Sequence, residues 1–133
     1  MSAIVVDTSV WVDFFRGRAL PALEDALRSG DVLLSPIVAA ELLSARMTSR
    51  QQRDLANLIQ DLPLHQTALD HWMRVGTLRA SAAERGITIS VPDAEIAQCA
   101  IDTGGHVWSL DRVFEALARV FPLKLFSASS TSR

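Results

Sequence analysis

Four carboxylates occupy positions where an acid is costly. Asp7 follows the run Ile4-Val5-Val6, and Glu41 stands inside the apolar helix that opens at Pro36. Asp93 heads the stripe of Ile96, Ala97, Ala100 and Ile101, and Asp111 follows His106-Val107-Trp108-Ser109-Leu110. A carboxylate deprived of water and partners is destabilised, and several at close range repel until one takes a proton. A hard divalent cation relieves both penalties. Mg²⁺ is held through one or two carboxylates plus waters, and two such ions can flank a phosphodiester. The chemistry open to such a set is metal-assisted hydrolysis, with Thr8, Ser9 and Ser109 as hydroxyl donors that orient the acids.

Taken singly, each acid has a plainer explanation. A buried strand must end on something polar, and Glu41 can lie on a solvent stripe. A first-turn acid such as Asp93 stabilises its helix by ~0.3–1 kcal/mol through the dipole. The plain readings weaken only if the chain brings all four to one place. That depends on the elements that carry them.

Residues 4–6 read as a strand buried on both faces, as in a parallel sheet. In such sheets ligands bind beyond the carboxyl ends of the strands, where strand order reverses. Further short strands are expected at 32–34, 62–64, 106–110 and 123–126, the second an edge strand because it contains Pro63. Helices are expected at 9–15, 21–29, 36–47, 49–61, 67–85 and 92–103, and again from Phe114. Ser35-Pro36 supplies an N-cap and a proline at the first helical position. In the helix from 67, Leu69, Trp72, Met73, Leu78 and Ala82 are expected to face inward. In the helix from 92, the apolar stripe carries Asp93 with it and leaves Glu95, Gln98 and Asp102 on the opposite, solvated face. Strands alternating with helices predict a three-layer α/β/α sandwich around a central parallel sheet, of Rossmann-like type.

The 133 residues suffice for one domain, expected over 1–126, with a serine-rich, disordered tail at 127–133. Hydrophobic residues make up 49%, a surplus that points to surface buried in an oligomer or against a partner. The net charge of −2 excludes a broadly basic nucleic-acid binder but allows a local basic groove. Arg46, Arg50, Arg53 and Arg112 are the candidates for it, with Arg16 and Arg18 next. The single cysteine, Cys99, cannot form an intrachain disulfide and reads as a core or interface thiol. The N-terminus lacks a basic region and is interrupted by Asp7 and Asp13, so a membrane span is not expected and a cytoplasmic location is. His65, His71 and His106 show no paired spacing, so zinc is not expected.

Val6-Asp7-Thr8-Ser9, Ala40-Glu41-Leu42, Pro92-Asp93-Ala94 with Ile96-Ala97, and Ser109-Leu110-Asp111 with Phe114 together resemble the PIN-domain ribonucleases, most closely their VapC-type toxins. The four motifs fall in the family's order and spacing from Ile4 to Phe126. The resemblance implies a PIN-like sandwich, often dimeric, with Asp7, Glu41, Asp93 and Asp111 as the acidic quartet and Ser9 as a supporting hydroxyl. It also implies Mg²⁺- or Mn²⁺-dependent cleavage of an RNA substrate, silenced by a cognate antitoxin protein, with homodimer formation expected. Glu95 departs from the pattern, because that position is usually apolar.

Two other classes build acidic pockets on sheets of this size. A phosphorylated receiver domain needs an acidic pair after the first strand, an acceptor Asp after the third and a Lys after the fifth. Here Asp7 has no acidic neighbour, 62–64 leads to His65, and Lys124 lies inside the last strand. A phosphatase of the haloacid dehalogenase type needs a second Asp where Ser9 stands. A PIN-like scaffold without activity is the remaining alternative, and retention of all four acids argues against it.

Overall fold

Ile4, Val5 and Val6 form β1 (Ile4–Val6), which is paired on both edges, and all three residues are buried. The computed structural model describes residues 3–128, so 129–133 of the expected tail lie outside the described residues. β2 (Val32–Leu33), β3 (His106–Trp108) and β4 (Lys124–Leu125) complete a parallel sheet in the order β2-β1-β3-β4. Ile4 stands opposite Val32 on one side and His106 on the other. The expected strand at 62–64 reduces to one parallel bridge, Leu34 with Leu64, where the Leu34 N–H donates to the Pro63 carbonyl at 2.8 Å.

The chain leaves β1 on one side for β2 and returns on the other for β3. Strand order therefore reverses at β1, which opens a crevice at the carboxyl ends of β1 and β3. Among the described residues seven helices flank the sheet: α1 (Thr8–Phe15), α2 (Pro21–Ser29), α3 (Pro36–Ser44), α4 (Ser49–Asp61), α5 (Leu69–Glu84), α6 (Val91–Thr103) and α7 (Val113–Val120). Local chemistry sets their ends. Thr48 and Gln51 exchange hydrogen bonds in a capping box at the start of α4, and Gly104 ends α6 at φ 67°. None of these helices is long and apolar enough to cross a membrane.

The central helix is α6, buried from Ala94 to Ala100 and packed against α3, α5, β1 and β3. Two expectations about side-chain direction fail on it and its neighbour, for one reason. Glu95 is not solvated but 0% exposed, and Gln98 is buried as well. On α5, Leu69 and Met73 point outward, and the inward face is His71, Val75, Leu78 and Ala82. The His71 Nε2–H donates to Glu95 Oε2 at 2.8 Å. Hydrophobic periodicity assigns polar residues to solvent, whereas here one buried polar pair turns both helices inward on itself.

Gly105 is required by close approach. A Cβ there would lie 2.4 Å from the Ala3 carbonyl oxygen, a backbone atom held by the His106 N–H at 2.8 Å. Gly105→Ala is therefore expected to lower stability by roughly 1–3 kcal/mol through overpacking. Urea denaturation tests this, and an unchanged midpoint would show that the start of β1 yields.

Candidate active site

Asp7 comes immediately after β1 and continues its ladder, its N–H donating to the Trp108 carbonyl at 2.8 Å. It stands at the N-cap position of α1, yet its side chain makes no capping bond. Instead Oδ2 accepts hydrogen bonds from Ser9 Oγ at 2.9 Å and Ser109 Oγ at 2.6 Å, in a position only 6% exposed. The same two hydroxyls hold the turn after β3. Ser9 Oγ accepts from the Leu110 N–H at 3.2 Å, and Ser109 Oγ accepts from the Asp111 N–H at 2.9 Å. Asp111 is thereby tied to Asp7 through one serine, while its own Oδ1 accepts from the Val113 N–H at 3.0 Å at the start of α7.

Glu41 arrives from α3. It is half-buried and lines a cavity of about 460 Å³ with Thr8, Ile37, Ala40, Ser44 and Ala45. Its Oε1 accepts from the Thr8 hydroxyl at 2.7 Å, so the residue after Asp7 holds the second acid. Asp93 arrives from the first turn of α6, where its N–H donates to the capping hydroxyl of Ser90 at 3.2 Å. Burial is the main force pushing the Asp93 carboxyl above the usual carboxylate range. The charges of Asp7, Asp111 and Glu41 push the same way, against the Ser90 hydrogen bond.

Asp93 thus feels the charge of the three other sequence-predicted acids, although the four come from separate segments of the chain. Among the described residues no arginine or lysine pairs with any of them. Their partners are hydroxyls and backbone N–H groups, which orient a carboxylate without discharging it. An all-oxygen donor set with unbalanced negative charge fits a hard divalent cation such as Mg²⁺ or Mn²⁺ better than a soft metal.

The sequence-predicted arginines are less closely placed. Arg46 lies just beyond α3, and Arg50 and Arg53 lie one turn apart on α4; all three are exposed, with no carboxylate partner among the described residues. Arg112 is exposed beside Asp111 and pairs loosely with Glu115 at 4.0 Å. Arg16 is exposed at the end of α1, and Arg18 pairs with Asp13 at 2.9 Å.

Sequence reasoning missed a second polar cluster, centred on Glu95 of α6. Ser35 stands at the N-cap of α3 but makes no capping bond; its hydroxyl donates to Glu95 Oε1 instead. Glu95 Oε2 accepts from His71 and from the Cys99 thiol at 2.7 Å. Burial first, and then the Glu95 charge, push that thiol far above its usual range. Burial also pulls on Asp102 at the far end of α6, but hydrogen bonds from Arg74, Gln98 and His71 outweigh it and hold that carboxyl below the usual range. The available sign was the run Ala94-Glu95-Ile96-Ala97-Gln98-Cys99-Ala100, whose small residues suit a helix enclosed on all sides.

The family model for the PIN domain matches residues 4–120. Ribonuclease VapC11 of Mycobacterium tuberculosis H37Rv is 28% identical over 131 residues, covering 93% of this chain and 98% of its own. VapC ribonuclease Mb1587 of Mycobacterium bovis matches to the same extent. Among solved structures, VapBC2 from Rickettsia felis bound to a promoter DNA fragment superposes with a TM-score of 0.75 at 18% identity, covering 93% of this chain and 97% of that one. DNA-bound VapBC from Salmonella typhimurium gives 0.73 at 19% identity, covering 96% and 99%.

Proposed function

This chain belongs to the PIN domain family, and from that premise we propose that it is a divalent-metal-dependent endoribonuclease, the toxin of a type II toxin–antitoxin pair. The relatives named as ribonucleases, matched along nearly their whole length, support the activity. The toxin–antitoxin complexes among the structural neighbours support a cognate antitoxin partner. The observation that carries the mechanism is the convergence of Asp93 with three further acids whose partners are only neutral donors.

Asp7, Glu41, Asp93 and Asp111 would hold Mg²⁺ or Mn²⁺. Bound there, the cation supplies charge neutralisation at the phosphate and an activated water. The chain's own residues do the positioning. Ser9 and Ser109 fix the Asp7 carboxylate from two sides, and Thr8 fixes Glu41. Ser109 also sets the backbone of Asp111. In the cytoplasm, as a homodimer, such a protein would cut RNA whenever its antitoxin is absent. Purified protein incubated with total RNA, with Mg²⁺ and with chelator, tests this by mapping the cut ends. Cleavage that survives chelation, or no cleavage with either metal, would refute it and favour a scaffold.

A site this acidic cannot draw in RNA unaided, so basic residues must do so at its rim. Arg46, Arg50 and Arg53 follow the Glu41 helix without carboxylate partners. Replacing all three by alanine is expected to weaken RNA binding and to lower its salt slope by roughly 0.7 per lost phosphate contact on single-stranded RNA. Mn²⁺ binding measured by calorimetry should stay as in wild type. An unaltered salt slope would place the RNA elsewhere, with Arg16 and Arg112 next to test.

A further inference from the structure

We propose that His65, His71 and Asp102 form a zinc-binding site, separate from the acidic quartet and independent of the nuclease reading. Asp102 lies nine residues along α6 from Asp93, about 13 Å at 1.5 Å per residue. The two histidines come together because 66–68 turn between the Leu34–Leu64 bridge and α5, which sets their ring centroids 5.3 Å apart. One nitrogen of each imidazole and one Asp102 oxygen all lie within 4.8 Å of one another.

Hydrogen bonding fixes the orientation of His71. Its Nε2 lies 2.8 Å from the buried Glu95 carboxylate, and its Nδ1 faces Asp102 Oδ2. That is the carboxylate–histidine arrangement that orients zinc-ligating imidazoles. The separation of these two atoms shows what can join them. Nδ1 and Oδ2 are 3.4 Å apart, whereas a charge-assisted hydrogen bond would draw them to ~2.7–2.9 Å.

Tetrahedral zinc at ~2.0–2.1 Å from each ligand atom predicts nitrogen–oxygen edges of about 3.3 Å and imidazole centroids roughly 5.2 Å apart. The observed 3.4 and 5.3 Å match both. The neighbouring set of His71, Glu95 and Cys99 does not match, because its contacts of 2.7 and 2.8 Å are hydrogen bonds.

Charge and donor type agree with the distances. Zinc is balanced by Asp102 directly and by Glu95 through His71, and imidazole favours it over Mg²⁺ or Mn²⁺. Gln98 Nε2 donates to Asp102 Oδ1 at 2.8 Å and holds the carboxylate in place. Arg74 covers Asp102 Oδ2 at 2.9 Å while also reaching Asp70 at 3.1 Å, so it would keep a carboxylate partner with that oxygen on zinc.

The test is zinc titration by calorimetry in excess Mg²⁺, with melting temperatures recorded alongside. Wild type and Asp93→Asn should each bind one zinc equally well and melt higher with it. His65→Ala removes a ligand that is only half-buried, so the chain should still fold while zinc affinity falls at least about tenfold, the lower end of what even an outer-shell partner is worth. Asp102→Asn should behave likewise. The assignment is overturned if wild type binds no zinc, if His65→Ala binds it unchanged, or if Asp93→Asn is the variant that loses it.

Discussion

Asp93→Asn is expected to lose RNA cleavage by at least about 100-fold, yet to melt above wild type when divalent metal is removed. The two effects have one source. The folded chain holds the Asp93 carboxyl above the ordinary range, first through burial and then through the charges of Asp7, Asp111 and Glu41. Such a group contributes to stability fully below the unfolded value and loses that contribution as pH rises through the folded one. At neutral pH without metal, the ionised side chain is therefore a net cost, which the neutral amide lacks. Added Mg²⁺ should reverse the order. A ligand at 100 times its Kd stabilises the form that binds it by ~2.7 kcal/mol, and only wild type retains all four acids. Melting curves with chelator and with Mg²⁺ should therefore cross.

Asp7→Asn provides the contrast. Its carboxylate accepts two serine hydroxyls, so its loss should abolish cleavage without a comparable gain in stability. Full activity in either variant, or no crossing for Asp93→Asn, would remove these acids from the proposed role.

The acids were legible because a charge that interrupts an apolar run shows in one dimension. Ile4–Val6 ending in Asp7, and a lone Glu41 in an apolar helix, need no tertiary information to stand out. The parallel sheet was legible for the same reason, since buried strands read as short uninterrupted apolar runs. What failed was direction. Periodicity places Glu95 and Gln98 at the surface and gives His71 no direction, yet each is buried through a partner on another segment or one turn along the helix. Periodicity carries no record of such pairing, so it turns Leu69 and Met73 inward where His71 and Val75 hold that face. Likewise, histidines six residues apart imply nothing until a turn and a single bridge fold one ring onto the other.

The same cluster gives the largest expected effect on the fold. Glu95→Ala should destabilise the protein by roughly 3–5 kcal/mol, because buried donors left without an acceptor cost about 1–3 kcal/mol each. Three groups lose their acceptor at once: the Ser35 hydroxyl, His71 Nε2–H and the Cys99 thiol. Ser35 and His71 are 0% and 2% exposed, so water cannot replace it cheaply. At the usual entropy of unfolding for a chain of this size, the melting temperature should fall by roughly 10–20 °C. Packing alone predicts something different. If Glu95 served only as volume, Glu95→Leu would restore stability, whereas here it should remain destabilised because His71 keeps an unpaired N–H in the core. Replacing both partners in Glu95→Leu/His71→Leu should recover most of the loss, since an apolar pair of similar volume is often as stable as the polar one. A double-mutant cycle over these variants measures the coupling. A Glu95→Ala protein that melts within about 2 °C of wild type would mean that α5 and α6 are not joined through this carboxylate, and the inward face of α5 would then need another cause.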